Sequence, residues 1–191
     1  MRFSTAMAFP KSTYRWMVVT GRVIACCLLW AAPGRAQEFR MESAGVRGGF
    51  SANGGRDEFH QAEFFGNWNL PWGWDLGKEW HLQSRLDLSA GWLGDSSQNA
   101  ALGTLGPSLV LNQAQWPVSL EGGFSPTLLS SYRFESKSLG TDIQFTSHVG
   151  LNWDFAAHWR LSYRFQHMSN AELSRDNPGL NMHLFGLSYC F

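Results

Sequence analysis

Apolar side chains recur at every second position over long stretches of this chain. Between Trp80 and Trp92, one side of an extended segment would be apolar and the other polar, and residues 141–153, 159–169 and 179–191 repeat the pattern. A period of two is that of a β-strand, whereas an amphipathic α-helix has a period of about 3.6. The alternation therefore predicts an all-β fold in which every strand has one face in apolar surroundings.

The length of these segments favours a membrane over water as those surroundings. Segments such as 80–92 exceed the roughly 5–6 residues of an ordinary strand and suit a tilted transmembrane strand. Tryptophans gather at segment ends, as the interfacial belts of membrane barrels require, and the chain stops on an alternating segment that ends in Phe191. A soluble sandwich with one wet face would also alternate, but it would explain neither feature.

The number of segments sets the size of the predicted barrel. Eight candidates can be counted, near residues 38–50, 59–70, 80–92, 101–111, 117–129, 141–153, 159–169 and 179–191. We therefore expect residues 37–191 to form an eight-stranded antiparallel outer-membrane β-barrel with short periplasmic turns, longer outer connections and both termini in the periplasm. Inward-facing polar side chains, His148 among them, should fill its lumen, which argues against a porin. The Gly-rich residues 43–55 are predicted to form a bend or a flexible outer loop.

The N-terminal segment has the character of an export signal. Residues 1–36 carry basic but no acidic side chains and contain an unbroken apolar run over 23–32. That run is too short to span a bilayer, which takes about 20 residues. It is followed by Pro33-Gly34 and by the small residue Ala36, so we predict a signal peptide over 1–36 that is cleaved before Gln37.

The charge balance and the cysteines exclude several functions. The formal net charge is zero, but the basic groups concentrate in 1–36, which leaves residues 37–191 acidic. No nucleic-acid partner is therefore expected. Cys190 is the one cysteine outside 1–36, which excludes an intramolecular disulfide framework and a cysteine-based zinc site in the mature chain.

Three polar residues interrupt the apolar rows of the last two segments. His167 and Ser169 lie two apart, so they share a face of a strand, and they continue the row that faces lipid. Counting back from Phe191 along the eighth segment puts Asn181 in the corresponding row, and a symmetric hairpin puts it opposite His167. A histidine beside a serine, oriented by a third polar group, is the arrangement that activates a hydroxyl nucleophile.

The location of these residues suggests the substrate. A site on the outside of a barrel, near the outer leaflet, meets lipid or lipopolysaccharide, so the pattern predicts hydrolysis of a lipid ester. Asn170, or a backbone N–H in the turn after it, could stabilise the oxyanion of such a reaction. The competing interpretation is that these are ordinary polar residues of the membrane interface, because a His-x-Ser pair arises often by chance.

The same stretch resembles a known family. The run Tyr163-Arg-Phe-Gln-His-Met-Ser-Asn-Ala171, followed by Asn177-Pro-Gly-Leu-Asn181, is similar to the lipid A 3-O-deacylase (PagL) family. The resemblance implies an eight-stranded outer-membrane barrel that hydrolyses the ester-linked acyl chain at position 3 of lipid A, with no metal or other cofactor. It assigns His167 as the base, Ser169 as the nucleophile and Asn170 as the oxyanion asparagine.

Two positions depart from the pattern of that family. Asn181 stands where the best-known pattern has a glutamate, so it can orient the imidazole but cannot stabilise imidazolium by charge. Glu172 replaces a small residue that the oxyanion site would require. A non-catalytic structural or surface-binding barrel is therefore the alternative to an esterase. The expected partners are lipid A or lipopolysaccharide as substrate and outer-membrane lipid, with a homodimer left open.

Overall fold

The chain forms a closed antiparallel barrel of eight strands. The computed structural model describes residues 38–52 and 58–191, so the predicted signal peptide over 1–36 lies outside the described residues. The strands are β1 (Arg40–Ser51), β2 (His60–Leu76), β3 (Trp80–Gly94), β4 (Asn99–Gln113), β5 (Val118–Leu129), β6 (Ile143–Ala156), β7 (Trp159–Ser169) and β8 (Leu180–Cys190). Each strand pairs with its neighbours in the chain, and β8 pairs with β1 to close the ring. The predicted fold class is confirmed.

The prediction for residues 43–55 is wrong as far as Ser51, because those residues lie inside β1. Their glycines permit close contact between neighbouring strands at the tight curvature of a small barrel. A Cβ atom on Gly49 would lie 1.7 Å from the carbonyl oxygen of His183 in β8. The glycines of β1 therefore lie where β1 and β8 are close together, and the absence of a side chain lets the two backbones approach.

Polar side chains fill the middle of the lumen, as the alternation predicts. Arg85 is 1% exposed and donates hydrogen bonds to Glu42 (3.0 Å) and Glu121 (2.7 Å). Arg164 donates to the other oxygen of Glu121 at 2.8 Å, and His148 is buried beside it. Buried charges of this kind are tolerable because each is paired and hydrogen-bonded. At this level the lumen is thus occupied by hydrogen-bonded ion pairs.

One end of the lumen is apolar, which the sequence reading did not predict. Buried apolar residues from the strands and their connections form a cluster that we call the apolar cap, and it comprises Phe59, Leu93, Ala100, Leu102, Leu129, Phe134, Leu139, Met168, Leu180, Met182 and Leu184. Phe134 and Leu139 come from the connection between β5 and β6, which folds over the end of the barrel. Through the apolar cap, the β5–β6 connection packs against the end of the barrel at which Met168 of β7 lies.

The connections define which end faces outward. Residues 77–79, 114–117 and 157–158 are short turns at one end, whereas at the other end 130–142 and 170–179 are long and only 95–98, within the described residues, is short. Outer-membrane barrels have short periplasmic turns and longer extracellular loops, so the capped end, with the last residues of β7, is the outer end. Within 38–52 and 58–191 no helix is long and apolar enough to cross a bilayer.

Candidate active site

His167 lies on the outer face of the barrel near the extracellular end of β7. Leu161 and Phe165 precede it in the same row and are exposed, as the lipid-facing side chains of a membrane barrel are. The intervening Arg164 and Gln166 are buried in the lumen. The structure therefore confirms that His167 and Ser169 continue the outward row, with His167 exposed and Ser169 partly buried.

Asn181 holds the imidazole of His167. The two residues are directly opposite in the β7–β8 pairing, as predicted, and His167 Nδ1 lies 2.7 Å from Asn181 Oδ1. An amide oxygen only accepts hydrogen bonds, so in this pair the Nδ1–H group donates a hydrogen bond to Asn181 Oδ1. In a neutral imidazole, this tautomer puts the lone pair on Nε2, which is the form that a general base requires.

Gly179 forms one wall of the space around this ring. Its φ of +64° lies in the left-handed region, which favours glycine. A Cβ atom there would come within 2.8 Å of His167 Cε1 and 3.5 Å of Nε2. The edge of the imidazole that carries Nε2 therefore passes over a residue without a side chain, and any other residue would displace the ring.

The chain after Ser169 makes a tight turn in an unusual conformation. The N–H of Leu173 donates to the carbonyl oxygen of Asn170 at 3.0 Å, which closes a four-residue turn. Both central residues have positive φ, +51° for Ala171 and +66° for Glu172. This is the pattern of a type I′ turn, which normally takes Gly, Asn or Asp at these positions. The conformation accounts for the small residue expected at position 172.

Asn170 connects this turn to its surroundings and is fully buried. Its Nδ2 donates to the carbonyl oxygens of Leu139 (2.9 Å) and Asp176 (2.7 Å), and its backbone N–H donates to Asn177 Oδ1 (3.0 Å). Both hydrogens of the amide are thus engaged. Of the two oxyanion donors that the sequence offers, a backbone N–H after Asn170 is the one that these contacts leave available.

Other hydroxyl and imidazole groups share the outer face. Ser147 of β6 lies directly across from His167, on the side opposite Asn181, and it is exposed. Within the described part of the chain the Ser169 hydroxyl has no hydrogen-bond partner. His183 lies in the same outward row of β8 as Asn181, and its Nδ1 lies 2.8 Å from the Tyr163 hydroxyl.

Four of the residues that shape this site were not predicted from the sequence. Gly179 had a signal, because it follows Pro178 and Pro-Gly marks a turn, and Asn177 was noted only as part of the motif. Leu139 and Gly140 contact the turn from another connection. No local sequence pattern predicts such contacts, because they depend on how two loops pack against each other.

Comparisons of sequence indicate one family, and a comparison of structures agrees in fold. The profile of the family described as "Lipid A 3-O-deacylase (PagL)" matches residues 62–190, more than half of the chain. A protein of Bordetella bronchiseptica named "Lipid A deacylase PagL" is 28% identical over 196 aligned residues, which cover 97% of this chain and 100% of that protein. Among solved structures, that of the outer membrane enzyme PagL superimposes with a TM-score of 0.67 at 18% identity, over 76% of this chain and 97% of that chain.

Proposed function

Because the chain belongs to the lipid A 3-O-deacylase (PagL) family, we propose that it hydrolyses the ester at position 3 of lipid A with Ser169 as nucleophile, His167 as base and Asn181 as the group that orients His167. The broader statement follows from membership itself: the protein is an ester hydrolase of the outer membrane that deacylates lipid A.

One observation carries the assignment of residues. The hydrogen bond of 2.7 Å between His167 Nδ1 and Asn181 Oδ1 supports the proposal, because it orients an imidazole on the lipid-facing side of the barrel. Ser169 follows two residues later on the same side of β7, towards the outer leaflet where lipid A resides. A purely interfacial role would give no reason for the imidazole to be held in the one tautomer that leaves Nε2 basic.

The first half of the reaction transfers the acyl group to the enzyme. Ser169 Oγ attacks the ester carbonyl carbon while His167 Nε2 takes the hydroxyl proton. The tetrahedral intermediate collapses as the bond between the carbonyl carbon and the sugar oxygen breaks, and His167 returns the proton to that oxygen. The products are the 3-hydroxyl of the sugar and an acyl ester on Ser169.

The second half releases the fatty acid. A water molecule gives its proton to His167 Nε2 and attacks the acyl carbonyl carbon, and the bond to Ser169 Oγ breaks. The proton returns to Ser169, which restores the resting enzyme. Both halves pass through an oxyanion. We propose that the backbone N–H groups of Ala171 and Glu172 stabilise it by donating hydrogen bonds. Asn170 then acts as a positioning residue, because its buried amide holds the turn that presents them.

Mass spectrometry of lipid A, before and after incubation with the detergent-refolded protein, tests this proposal. We expect the loss of one ester-linked acyl chain from position 3. Ser169→Ala and His167→Ala should each abolish most turnover, and the double variant should be hardly worse, because the two residues act as a unit. Intact lipid A after incubation with folded wild-type protein would contradict the proposed function and support the non-catalytic alternative.

Ser147→Ala is the matched control for the nucleophile. Ser147 is the other outward hydroxyl next to His167, and its removal changes the same kind of side chain on the neighbouring strand. Turnover should be retained in Ser147→Ala and lost in Ser169→Ala. The reverse result would move the nucleophile to β6 while leaving His167 as the base.

A further inference from the structure

The connection between β5 and β6 contacts the turn that follows Ser169. Leu139 in this connection is 1% exposed and belongs to the apolar cap. Its N–H donates to the carbonyl oxygen of Tyr132 at 2.8 Å, and its own carbonyl oxygen accepts hydrogen bonds from Gln144 Nε2 (3.1 Å) and Asn170 Nδ2 (2.9 Å). The connection is therefore anchored in the cap, and it meets Asn170 through a buried hydrogen bond.

Gly140 lies at the closest point of this contact. Its φ is +86°, and a Cβ atom on it would lie 2.0 Å from the carbonyl oxygen of Asp176, 2.6 Å from Asn170 Nδ2 and 3.0 Å from Ser174 Cβ. The first two atoms are the acceptor and the donor of one hydrogen bond, the 2.7 Å bond that closes the loop after Ser169. A side chain at residue 140 would thus separate the two groups that shape this loop.

From this arrangement we propose that Gly140 is a positioning residue for the reaction: by having no side chain, it lets the β5–β6 connection hold Asn170 and so sets the turn that presents the oxyanion N–H groups. The proposal rests on the proposed function for its kinetic consequence. Its structural content, the coupling of two loops through Asn170, does not depend on that function.

The expected kinetic effect follows from the position of Asn170 between Ser169 and the turn. A Cβ at residue 140 has to move the Asp176 carbonyl or the Asn170 amide, and either movement shifts Ala171 and Glu172 relative to Ser169. A misplacement of about 1 Å at a catalytic centre costs on the order of 100-fold in rate. The atoms nearest the added methyl group belong to the loop after Ser169 and not to the outward rows of β7 and β8. We therefore expect Gly140→Ala to lower kcat by roughly 10–100-fold with KM nearly unchanged.

Gly77 provides a matched control. It has almost the same backbone conformation, with φ of +84°, in the periplasmic turn between β2 and β3, and nothing lies within 4 Å of a Cβ built on it. Gly77→Ala and Gly140→Ala therefore carry the same backbone strain, and they differ in what the added methyl group meets. Gly77→Ala should keep the kcat of the wild type, which separates positioning from a general loss of stability.

Amide hydrogen exchange gives a second measurement that needs no turnover. In Gly140→Ala, but not in Gly77→Ala, exchange over residues 170–177 should rise by about tenfold or more, because the hydrogen bonds of Asn170 are displaced. Asn170→Ser breaks the same contact from the other side without adding atoms. It should speed exchange over 130–142, and this variant tests the coupling even where Gly140→Ala fails to refold.

The outcomes separate the two proposals. A folded Gly140→Ala with the kcat of Gly77→Ala, or with unchanged exchange over 170–177, overturns the role of Gly140. Unchanged exchange over 130–142 in Asn170→Ser overturns the coupling as well. If the wild type leaves lipid A intact, the proposed function fails, and the exchange data still decide whether the two loops are coupled.

Discussion

Asn181 holds the imidazole of His167 through one hydrogen bond and brings no charge to it. Asn181→Ala should therefore reduce kcat by roughly 10–100-fold, the usual cost of removing an orienting partner. Asn181→Glu keeps an acceptor and adds an anion that stabilises imidazolium, so its activity should equal or exceed that of the wild type. Initial rates of lipid A deacylation by refolded variants provide the measurement.

The same series can refute the orienting role of Asn181. A folded Asn181→Ala with wild-type kcat would show that the hydrogen bond seen here does not hold the base for catalysis. A large loss in Asn181→Glu would show that the surroundings of His167 disfavour an anion at this position. Ser147→Ala, on the other side of His167, reports whether any change near the ring has such effects.

Glu172 occupies a left-handed conformation that costs a side-chain-bearing residue roughly 1–2 kcal/mol. Glu172→Gly should relieve that strain and, after the greater flexibility of glycine in the unfolded chain is counted, stabilise the barrel by about 1 kcal/mol. It also removes a negative charge from the turn whose N–H groups are proposed to stabilise the oxyanion. Because that charge would repel the oxyanion, kcat should rise. Urea unfolding in lipid vesicles and initial rates measure the two effects.

Two further substitutions at position 172 separate conformation from charge. Glu172→Ala keeps a Cβ and its strain, while Glu172→Gln keeps the length of the side chain and removes its charge. If the glycine variant is no more stable than the alanine variant, strain at this turn is not the cause. If the glutamine variant is no faster than the wild type, the charge does not oppose the reaction.

Three residues of the site could be predicted from the sequence, whereas for the fourth, Asn170, the contacts of the side chain could not. His167 and Ser169 share a face because they are two apart in a strand, and Asn181 follows from hairpin symmetry, so local periodicity is sufficient. Asn170 was found as a residue, but the partners of its side chain were not. One of them, Leu139, is 31 positions away in a different connection, and its carbonyl reaches Asn170 only after both loops have packed.

The outer loops contact one another through Asp95, at the start of the connection between β3 and β4. Its carboxylate accepts hydrogen bonds from the backbone N–H groups of Ser97 (2.9 Å) and Gln98 (2.7 Å), and from Ser136 of the β5–β6 connection. Slight desolvation acts to raise the pKa of Asp95, but the four hydrogen bonds outweigh it, and the pKa lies below its usual value. The ionised form is therefore the one that ties residues 130–142 to their neighbour.

The direction of this shift predicts a dependence on pH. A carboxylate whose pKa is lowered by folding stabilises the folded state above its unfolded pKa of about 3.9, and this contribution is lost as pH falls through the lower, folded value. Hydrogen exchange over 130–142, corrected for the intrinsic rate, should therefore increase below about pH 4.

Asp95→Asn is the control for that experiment. The side-chain NH₂ group of the asparagine would face the N–H and O–H donors of Ser136, so these hydrogen bonds would be lost. Protonated Asp95 loses them in the same way, because its O–H group faces the same donors. The variant should show fast exchange over 130–142 at both neutral and acidic pH, with no step between them. A step of the same size in Asp95→Asn would assign the pH dependence to another group.

At the level of strands, alternation predicted the eight elements and their order but not every boundary. The strand predicted near 59–70 continues to Leu76, and the one near 101–111 begins at Asn99 and ends at Gln113. The apolar cap was missed for a physical reason. An alternation of period two distinguishes inward from outward side chains. It does not show where the lumen changes from ion pairs to packed apolar side chains, because that boundary depends on Phe134 and Leu139, which fold back from a loop.

For the whole molecule, the orientation of the barrel wall can be tested with single cysteines in a Cys190→Ser background. Leu161 and Phe185 are exposed in the outward rows of β7 and β8, while Glu172 and Asp176 lie in the outer loop. A membrane-impermeant maleimide applied to intact cells should label cysteine at 172 and 176, whereas lipid should shield cysteine at 161 and 185. Labelling of 161 and 185 from the aqueous phase would invert the two faces and remove the lipid-facing site.

The proposed catalytic pair, His167 and Ser169, lies on the outer wall of the barrel, so the relevant substrate concentration is the one in the membrane. His167 opens sideways into the leaflet, so substrate arrives and product departs by lateral diffusion in two dimensions. Turnover should then follow the mole fraction of lipid A in the surrounding membrane and fall when inert lipid or detergent dilutes that surface, even at constant bulk concentration. The organism's control over such an enzyme would lie in the composition of its own outer leaflet.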